Sequence, residues 1–237
     1  MAGISKAVLL AAGRGTRMRE LTNDLPKPML VVRGRPILQH IIEGMRLAGI
    51  KEVLLIVGWR ADVVRNFFQD GRQFDVRISY ETQVEQDGTG RVVELARTFC
   101  GGDPFLLSYG DILIEPSNYH RLASPADDVE AIISVKRGQD VSKGGAVFVN
   151  DRFEMTDLRE KPQPGEPTSP WYNAGVYMFR PSIFDFTSRL QRSPRGEFEL
   201  TDAIRDLALS GKKVQALDLA GEWADVRDPE VLAQLNG

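Results

Sequence analysis

Short apolar runs alternate with stretches of helical spacing along the first half of the chain. Lys6–Ala11 (KAVLLA), Glu52–Val57 (EVLLIV) and Pro104–Ser108 (PFLLS) are apolar without alternation, which is typical of strands buried on both faces of a parallel sheet. Val76–Tyr80 alternates as a half-buried strand does. Between them, apolar residues recur at helical spacing in Ile37–Ala48, Ala61–Phe68 and Arg91–Thr98. This βαβα order predicts an α/β fold with a mostly parallel, twisted sheet and helices on both faces.

The rhythm changes after Glu130, where strands follow one another with few helices between them. This half predicts a small, partly antiparallel extension that we expect to cover a binding site. The predicted elements are strands at Ala131–Val135, Gly145–Val149, Phe153–Arg159, Tyr172–Phe179 and Val214–Asp218, and helices at Ser182–Leu190, at Leu200–Leu209 and from Pro229 onward. The loop of residues 161–170 (KPQPGEPTSP) is too short to separate domains, so we expect a single domain over residues 1–237.

Composition narrows the class of protein. With 237 residues and 42% hydrophobic content the chain can bury a large core, and its single cysteine, Cys100, excludes an internal disulfide framework and suits a reducing compartment. No apolar stretch reaches the about 20 residues of a membrane span, and the apolar run near the N-terminus has no convincing signal-peptide cleavage pattern. We therefore expect a soluble, cytoplasmic protein without a membrane partner.

Charge is distributed unevenly. The net charge is −3, which gives no reason to expect a nucleic-acid partner. Residues 1–35 nevertheless hold seven Lys or Arg against two acidic residues, a local charge of +5 that leaves −8 for the rest. A basic segment on an acidic protein favours a small anionic ligand, although a solvated basic face would have the same composition.

The loop after the first strand has the residue types that bind phosphate. Ligands bind at the carboxyl ends of strands in open parallel sheets, and Gly13 and Gly15 let backbone N–H groups approach an anion there. Arg17 adds charge-assisted hydrogen bonds, and Lys27 is restrained between two prolines. The loop is not a dinucleotide fingerprint, because Met18 replaces the third glycine, and it has no P-loop motif. A structural glycine turn is the alternative.

A second group of candidate residues lies in QVEQDGTGRVVELA, residues 83–96. The segment Gly88-Thr89-Gly90 opens a predicted helix and could bind an anion or a base. Gln83 and Gln86 can both donate and accept hydrogen bonds, as the recognition of a base edge requires. For an isolated G-T-G, an ordinary helix start is the more common explanation.

Two aspartates are candidate Mg²⁺ ligands. Asp111 follows a buried strand and Asp225 follows a short apolar strand, which suits a Mg²⁺ ion that has few protein ligands, keeps several waters and is shared with phosphates. Taken singly, each would more often serve a turn or a helix N-cap. Two histidines, His40 and His120, and one cysteine cannot build a Cys/His metal site of usual form, and no G-x-S-x-G motif occurs.

Taken in order, these segments resemble the sugar-nucleotide pyrophosphorylases, the nucleotidyltransferases that join a nucleoside triphosphate to a sugar 1-phosphate. LAAGRGTRM and LPKPML match the family's opening signature, and GTG, YGD, EKP, NAGVY, ELTDAI and WADV followed by PE appear in the family's order. The resemblance extends from Lys6 to about Leu232. It implies a Rossmann-like fold in the short, single-domain form, since the sequence stops where some relatives continue into a left-handed β-helix.

The resemblance implies a role for each matching residue. Arg17 would bind the β and γ phosphates and Lys27 the phosphates near the α-phosphorus, while Asp111 and Asp225 would hold Mg²⁺. The nucleotide would be bound by Leu10, Ala11, Ala12, Gly13, Gly15, Thr16, Gln83, Gly88, Thr89, Tyr109 and Gly110, and the sugar phosphate by Gly145, Glu160, Lys161 and Asn173. Many relatives have Gly-Thr or Gly-Ser after the second metal aspartate, whereas Arg227 and Asp228 follow it here.

The implied reaction needs no protein nucleophile, because the phosphate of the sugar attacks the α-phosphorus directly and pyrophosphate leaves. UTP or dTTP is the expected nucleotide, with CTP or GTP as the alternative. Two rival functions are a weakly catalytic nucleotide-sugar sensor on the same fold and a dehydrogenase, and the missing third glycine opposes the dehydrogenase. The phosphates of glucose, N-acetylglucosamine, N-acetylmuramate, mannose and heptose are all open, as is homo-oligomerisation.

Overall fold

The computed structural model describes residues 3–237, which form thirteen β-strands and eight α-helices. The strands are β1 (Lys6–Ala11), β2 (Val31–Val32), β3 (Arg35–Pro36), β4 (Glu52–Val57), β5 (Arg77–Thr82), β6 (Phe105–Tyr109), β7 (Ile112–Ile114), β8 (Ala131–Arg137), β9 (Gly145–Val149), β10 (Met155–Glu160), β11 (Trp171–Phe179), β12 (Val214–Asp218) and β13 (Trp223–Asp225). The helices are α1 (Ile37–Leu47), α2 (Ala61–Phe68), α3 (Thr89–Glu94), α4 (Arg97–Cys100), α5 (Ser117–Leu122), α6 (Phe184–Thr187), α7 (Leu200–Leu209) and α8 (Pro229–Asn236).

A nine-stranded sheet forms the centre of the molecule, and its parallel part has the order β6-β1-β4-β5. The chain adds β4 and β5 on one side of β1 and then crosses to the other side to add β6. Such a reversal opens a crevice at the carboxyl ends of the two strands that flank it, here β1 and β6. The predicted α/β fold with a mostly parallel core is confirmed.

The predicted antiparallel part is also confirmed, and it continues the same sheet. The long strand β11 pairs antiparallel with β6, β8 and β9, and β9 pairs antiparallel with β10. Strand β12 closes this side by pairing parallel to β8. The sheet therefore carries the ends of β9, β10 and β11 to the same crevice as the ends of β1 and β6.

Alternating side chains of the strands pack into two hydrophobic cores, one on each face of the sheet. In β1, Ala7 and Leu9 pack with residues of α1, α2 and α5, whereas Val8 packs on the other face with residues of α3, α6 and α7. All three side chains are fully buried. None of the helices in residues 3–237 has the length and apolar composition needed to cross a membrane.

Two predicted helices are each broken into shorter pieces. The predicted helix Arg91–Thr98 is α3 followed by α4, because the backbone N–H groups of Leu95 and Ala96 bond three residues back, to Val92 and Val93, which tightens the turn between them. The predicted helix Ser182–Leu190 is a 3-10 turn at Pro181–Ile183 followed by α6, which ends at Thr187. The Thr187 hydroxyl donates a hydrogen bond to the Glu94 carboxylate, which ties the end of α6 to α3.

Candidate active site

A cavity of about 580 Å³ opens at the carboxyl ends of β1 and β6. The structure brings together there almost all of the predicted site residues: Leu10, Ala12, Gly13, Gly15, Thr16, Arg17, Lys27, Gln83, Gly88, Thr89, Tyr109, Gly110, Asp111, Gly145, Glu160, Lys161, Asn173 and Asp225. These residues lie up to 215 positions apart in the chain. Ala11 is the exception, because strand alternation directs its methyl group into the core, where it is 1% exposed. A contact between Ala11 and a nucleotide would have to come from its backbone.

The turn after β1 is fixed by Gly15. Its φ of 70° lies in the left-handed region, and a Cβ at this position would come 2.7 Å from the Cβ of Lys27. The Gly15 carbonyl accepts hydrogen bonds from the backbone of Met18 at 2.8 Å and from the Thr22 hydroxyl at 3.1 Å. The fully buried side chain of Met18 anchors this turn in the core. The neighbouring Arg17 is exposed and lines the cavity.

Lys27 reaches the cavity floor from a rigid segment. Pro26 is extended and Lys27 begins a single 3-10 turn, so the two flanking prolines restrict the backbone on both sides. The lysine side chain is 12% exposed, and its Nζ donates to Asp111 Oδ2 at 2.5 Å. Lys27 and Asp111 thus form a partly buried ion pair at the centre of the cavity.

Asp111 and Asp225 meet because β7 and β13 pair antiparallel, with Asp225 opposite Ile112. The Val226 backbone N–H donates to the Asp111 carbonyl at 3.0 Å. Burial, and then the negative charge of Asp111, raise the pKa of Asp225 to about 6, against the opposing effect of Lys27. Two carboxylates in a shared, partly buried space repel each other, and a cation bound between them would relieve that repulsion.

The donor set of this pair fits Mg²⁺. Carboxylate oxygens are hard ligands, and the adjoining cavity leaves room for the waters and phosphate oxygens that complete the coordination of this ion. Within residues 3–237 no group of three or more His, Cys, Asp or Glu side chains is arranged to hold a metal. Asp111 and Asp225 would be the protein ligands of such an ion.

The loop of residues 83–90 forms the wall opposite Gly13. Gly88 has a φ of 119°, and a Cβ there would lie 2.5 Å from the Phe198 backbone nitrogen, so only glycine allows this approach. Gly90 donates its backbone N–H to the Phe198 carbonyl at 2.8 Å. Across the crevice, Gln86 Nε2 reaches the Ala12 carbonyl at 3.4 Å, which sets the width between the two loops.

The far end of the cavity is made by β9, β10 and β11. Glu160 lies directly opposite Gly145 in the antiparallel pair β9–β10, and Asn173 belongs to β11. The Asn173 side-chain oxygen accepts the Tyr177 hydroxyl at 2.9 Å, which orients the amide. Burial, and then the charge of Glu199, raise the pKa of Glu160.

Sequence reasoning missed several residues at this end of the cavity. Arg195, in the loop before α7, places its Nη1 3.2 Å from Glu199 and 3.6 Å from Glu160. Tyr172 and Glu199 also line the cavity. Arg195 had no distinguishing signal, because an arginine beside a glycine in a polar loop is typical of the surface; Glu199 lay within the ELTDAI motif.

The cavity is rich in cations. Its Lys and Arg residues are Arg14, Arg17, Lys27, Lys143, Lys161, Arg195 and Arg227, and its acidic residues are Asp111, Glu160, Glu197, Glu199 and Asp225. Arg227, which departs from the family pattern, therefore faces the cavity. The Arg14 guanidinium stacks over the Trp59 ring at 4.5 Å. Several cations around two glycine-rich loops can bind a polyanion.

Comparison with curated proteins finds similarity over nearly the whole chain. The "Bifunctional protein GlmU" of Methanococcus aeolicus is 36% identical over 230 residues, which are 97% of this chain and 53% of that protein. The chain thus spans about half the length of the first relatives that it matches. The "UTP--glucose-1-phosphate uridylyltransferase AglF" of Haloferax volcanii is 32% identical over 228 residues, which are 95% of this chain and 92% of that protein.

Solved structures give the same architecture. A UDP-glucose pyrophosphorylase crystallised with UDP-glucose superposes with a TM-score of 0.86, at 24% identity over 98% of this chain and 97% of that one. At this identity the likeness concerns the fold. A family model described as "Nucleotidyl transferase" matches residues 6–236. That match spans almost every described residue and both ends of the cavity, and the chain belongs to the nucleotidyl transferase family.

Proposed function

We propose that this chain joins a nucleoside triphosphate to a sugar 1-phosphate and releases pyrophosphate. The observation that carries the proposal is the cavity at the β1/β6 crevice, where Lys27 pairs with Asp111 between the glycine-rich turns and the ends of β9–β11. The names of the relatives support it, since two of them are called a glucose-1-phosphate uridylyltransferase and a glucose-1-phosphate thymidylyltransferase. The nucleotide-sugar sensor is the rival function, and turnover separates the two.

The nucleotide end of the cavity consists of the turn after β1 and the loop of residues 83–90. Backbone N–H groups around Gly13 and Gly15 bind the phosphates, and Arg17 pairs with the β and γ phosphates. The base lies between this turn and Gln83, with Gly88 and Thr89 beside it, and UTP or dTTP is the nucleotide. Tyr109 and Gly110 line the nucleoside between the two ends.

The sugar end consists of Gly145, Glu160, Lys161 and Asn173. The Glu160 carboxylate accepts hydrogen bonds from sugar hydroxyls, the Asn173 NH₂ group donates to them, and Lys161 binds the phosphate. Arg195, held by two glutamates at the same wall, adds a cation there. These side chains direct a phosphate oxygen of the sugar 1-phosphate toward the α-phosphorus, so that attack occurs in line with the departing pyrophosphate.

Lys27 stabilises the negative charge that builds around the α-phosphorus. Its ion pair with Asp111 keeps the ammonium group at the cavity floor before the substrates bind. Mg²⁺ held by Asp111 and Asp225 would supply further neutralisation of the triphosphate and of the leaving pyrophosphate. No histidine or cysteine lines the described cavity, as expected for a reaction in which the attacking group is already an anion.

A matrix of nucleoside triphosphates against sugar 1-phosphates, scored by pyrophosphate release, tests the proposal. We expect release that requires both substrates and Mg²⁺, with UTP or dTTP as the best nucleotide. Binding of nucleotide-sugars without turnover would favour the sensor, and release of pyrophosphate without a sugar phosphate would contradict the transfer reaction.

The use of cellular triphosphates and the lone buried Cys100 support a cytoplasmic location.

A further inference from the structure

Tyr172 lines the sugar end of the cavity and has no part in the transfer chemistry proposed for it. It belongs to β11, is paired with Ala146 of β9, and immediately precedes Asn173. The residue is 6% exposed, and its hydroxyl has no hydrogen-bond partner among the side-chain contacts of residues 3–237. The hydroxyl is not among the fully buried side-chain atoms that lack a partner, so a water molecule or a ligand in the cavity can reach it and form the hydrogen bond that the protein leaves open.

The phenol lies against Gly144, which has no side chain to obstruct it. A Cβ on residue 144 would come 2.5 Å from Tyr172 Cζ and closer still to the hydroxyl oxygen. Gly144 also accepts a hydrogen bond from the backbone N–H of Lys161 at 2.5 Å. The hydroxyl therefore lies beside the two segments that carry Gly145 and Lys161, both proposed to contact the sugar phosphate.

The ring cannot easily leave this position. It packs edge-to-face on Trp223, with ring centroids 5.5 Å apart. Trp223 is itself fixed, because its indole N–H donates to the Ala174 carbonyl at 3.0 Å. A rigid aromatic ring that presents one unsatisfied hydroxyl to a cavity is suited to selecting among ligands by a hydrogen bond.

We propose that Tyr172 determines sugar specificity by a hydrogen bond between its hydroxyl and one ring hydroxyl of a hexose 1-phosphate, with Gly144 providing the space that the phenol needs. This inference rests on the proposed transferase function. It predicts that removal of the Tyr172 hydroxyl affects one hydroxyl position of the sugar and leaves the other positions and the nucleotide alone.

The test is a cycle of changes in enzyme and substrate. The panel comprises the 1-phosphates of glucose, N-acetylglucosamine, N-acetylmuramate, mannose and heptose, and the monodeoxy analogues of whichever gives the highest kcat/KM. The native enzyme should use one analogue at least about tenfold less well than its parent sugar, and Tyr172→Phe should lose that discrimination while it retains the others. Gly144→Ala should lose the same discrimination, because the added methyl displaces the phenol.

Tyr119→Phe is the matched control. It removes a phenol hydroxyl from a buried tyrosine that packs against Gly44 and does not line the cavity, so sugar discrimination should be unchanged. Thermal melting of each variant reports folding separately from selectivity.

Two kinds of result would overturn the role of Tyr172, and they differ in what they leave standing. If Tyr172→Phe slows all sugars of the panel equally, or has no effect, Tyr172 is not a specificity residue, and the proposed transferase function stands. If the native protein releases pyrophosphate with no sugar 1-phosphate of the panel, the proposed function fails and the specificity role fails with it.

Discussion

The proposed nucleotide end of the cavity is built mainly from backbone, whereas the proposed sugar end is built mainly from side chains. At the nucleotide end, Gly15 and Gly88 each have positive φ and touch another chain segment where a Cβ would collide. At the sugar end, the Arg195 side chain pairs with the carboxylates of both Glu160 and Glu199. The triphosphate is common to all nucleotides, so a fixed backbone suits it, while sugars differ in the positions of hydroxyls that side chains distinguish.

This contrast leads to different expectations for substitutions at the two ends. Changes near the reacting phosphates should reduce turnover with every pair of substrates. The negative charge that these residues stabilise builds around the α-phosphorus whichever nucleotide and sugar react. Changes at the sugar end should act on one substrate and leave the other unaffected. Four predictions test this division, beginning with the largest expected effect.

Asp111→Asn should reduce turnover to background, because it removes the charge that complements a hard cation, and EDTA should silence the native protein. Asp103→Asn is the matched control: Asp103 precedes β6 at its amino end, is 65% exposed in its ion pair with Lys6, and should tolerate the change. Pyrophosphate release with added Mg²⁺ measures both. Undiminished activity in chelator would remove the metal from the mechanism.

Lys27→Ala should lower kcat by roughly 100-fold or more, the scale of losing one preorganised charge partner in a transition state. The fold should persist, since the lysine lines the cavity instead of the core. Lys51→Ala, at an exposed position outside the cavity, should behave as the native protein does. Single-turnover kinetics with saturating substrates isolate the chemical step, and near-native turnover of Lys27→Ala would contradict its phosphate role.

The sequence predicts the long, regular elements of the fold better than the short ones. Periodicity defines buried strands and amphipathic helices well, and β1, β4, α2, β9, α7 and β12 have the bounds that it predicts. It fails for α5, because Ser117–Leu122 is less than two turns long and contains only two apolar residues, Tyr119 and Leu122, which are too few to define an apolar face. It fails again between α3 and α4, where a local 3-10 bond interrupts an otherwise continuous helical pattern.

Site residues that are neighbours in the sequence are easier to predict than residues that reach the cavity through long-range contacts. Gly13, Gly15 and Lys27 stand together in one stretch of chain, so their shared purpose is visible in sequence. Arg195 and Tyr172 reach the cavity through long-range pairing of strands and loops, and each resembles an ordinary surface or core residue until the sheet is assembled. The motif around Ala11 faces the cavity, but the methyl group of Ala11 alternates into the core, which only the strand geometry shows.

Arg195→Ala sharpens the division between the two ends. It should raise KM for the sugar 1-phosphate about tenfold, the scale of one charge-assisted hydrogen bond, with little change in KM for the nucleotide. Arg195→Lys should recover part of the loss, since it keeps the charge without the planar fork. Arg189→Ala, at an exposed position outside the cavity, is the control. An equal rise in both KM values would mean that Arg195 supports the whole cavity and not one substrate.

The choice of base tests the nucleotide end, and the substitution that probes it, Gln83→Ala, has the smallest expected effect. Gln86 spans the crevice to the Ala12 carbonyl, and a purine would need more width between these loops. UTP or dTTP should therefore give the highest kcat/KM, with GTP and ATP worse by at least about tenfold. The Gln83 amide can pair with the O4/N3–H edge of uracil or thymine, although in the free protein its Nε2 donates to the Glu85 carbonyl at 2.8 Å.

Gln83→Ala separates the reading of the base from the width of the crevice. It should narrow the preference by about threefold, the scale of one neutral hydrogen bond, and should slow the best substrate less than that, because the bond to Glu85 must first be broken. Gln73→Ala, an exposed amide outside the cavity, should leave selectivity as it is. Values of kcat/KM for UTP, dTTP, CTP, GTP and ATP, each with the same sugar 1-phosphate, measure both variants. A preference for GTP or CTP, or unchanged selectivity in Gln83→Ala, would overturn the assignment of the base site, and the transfer reaction would stand on the other three tests.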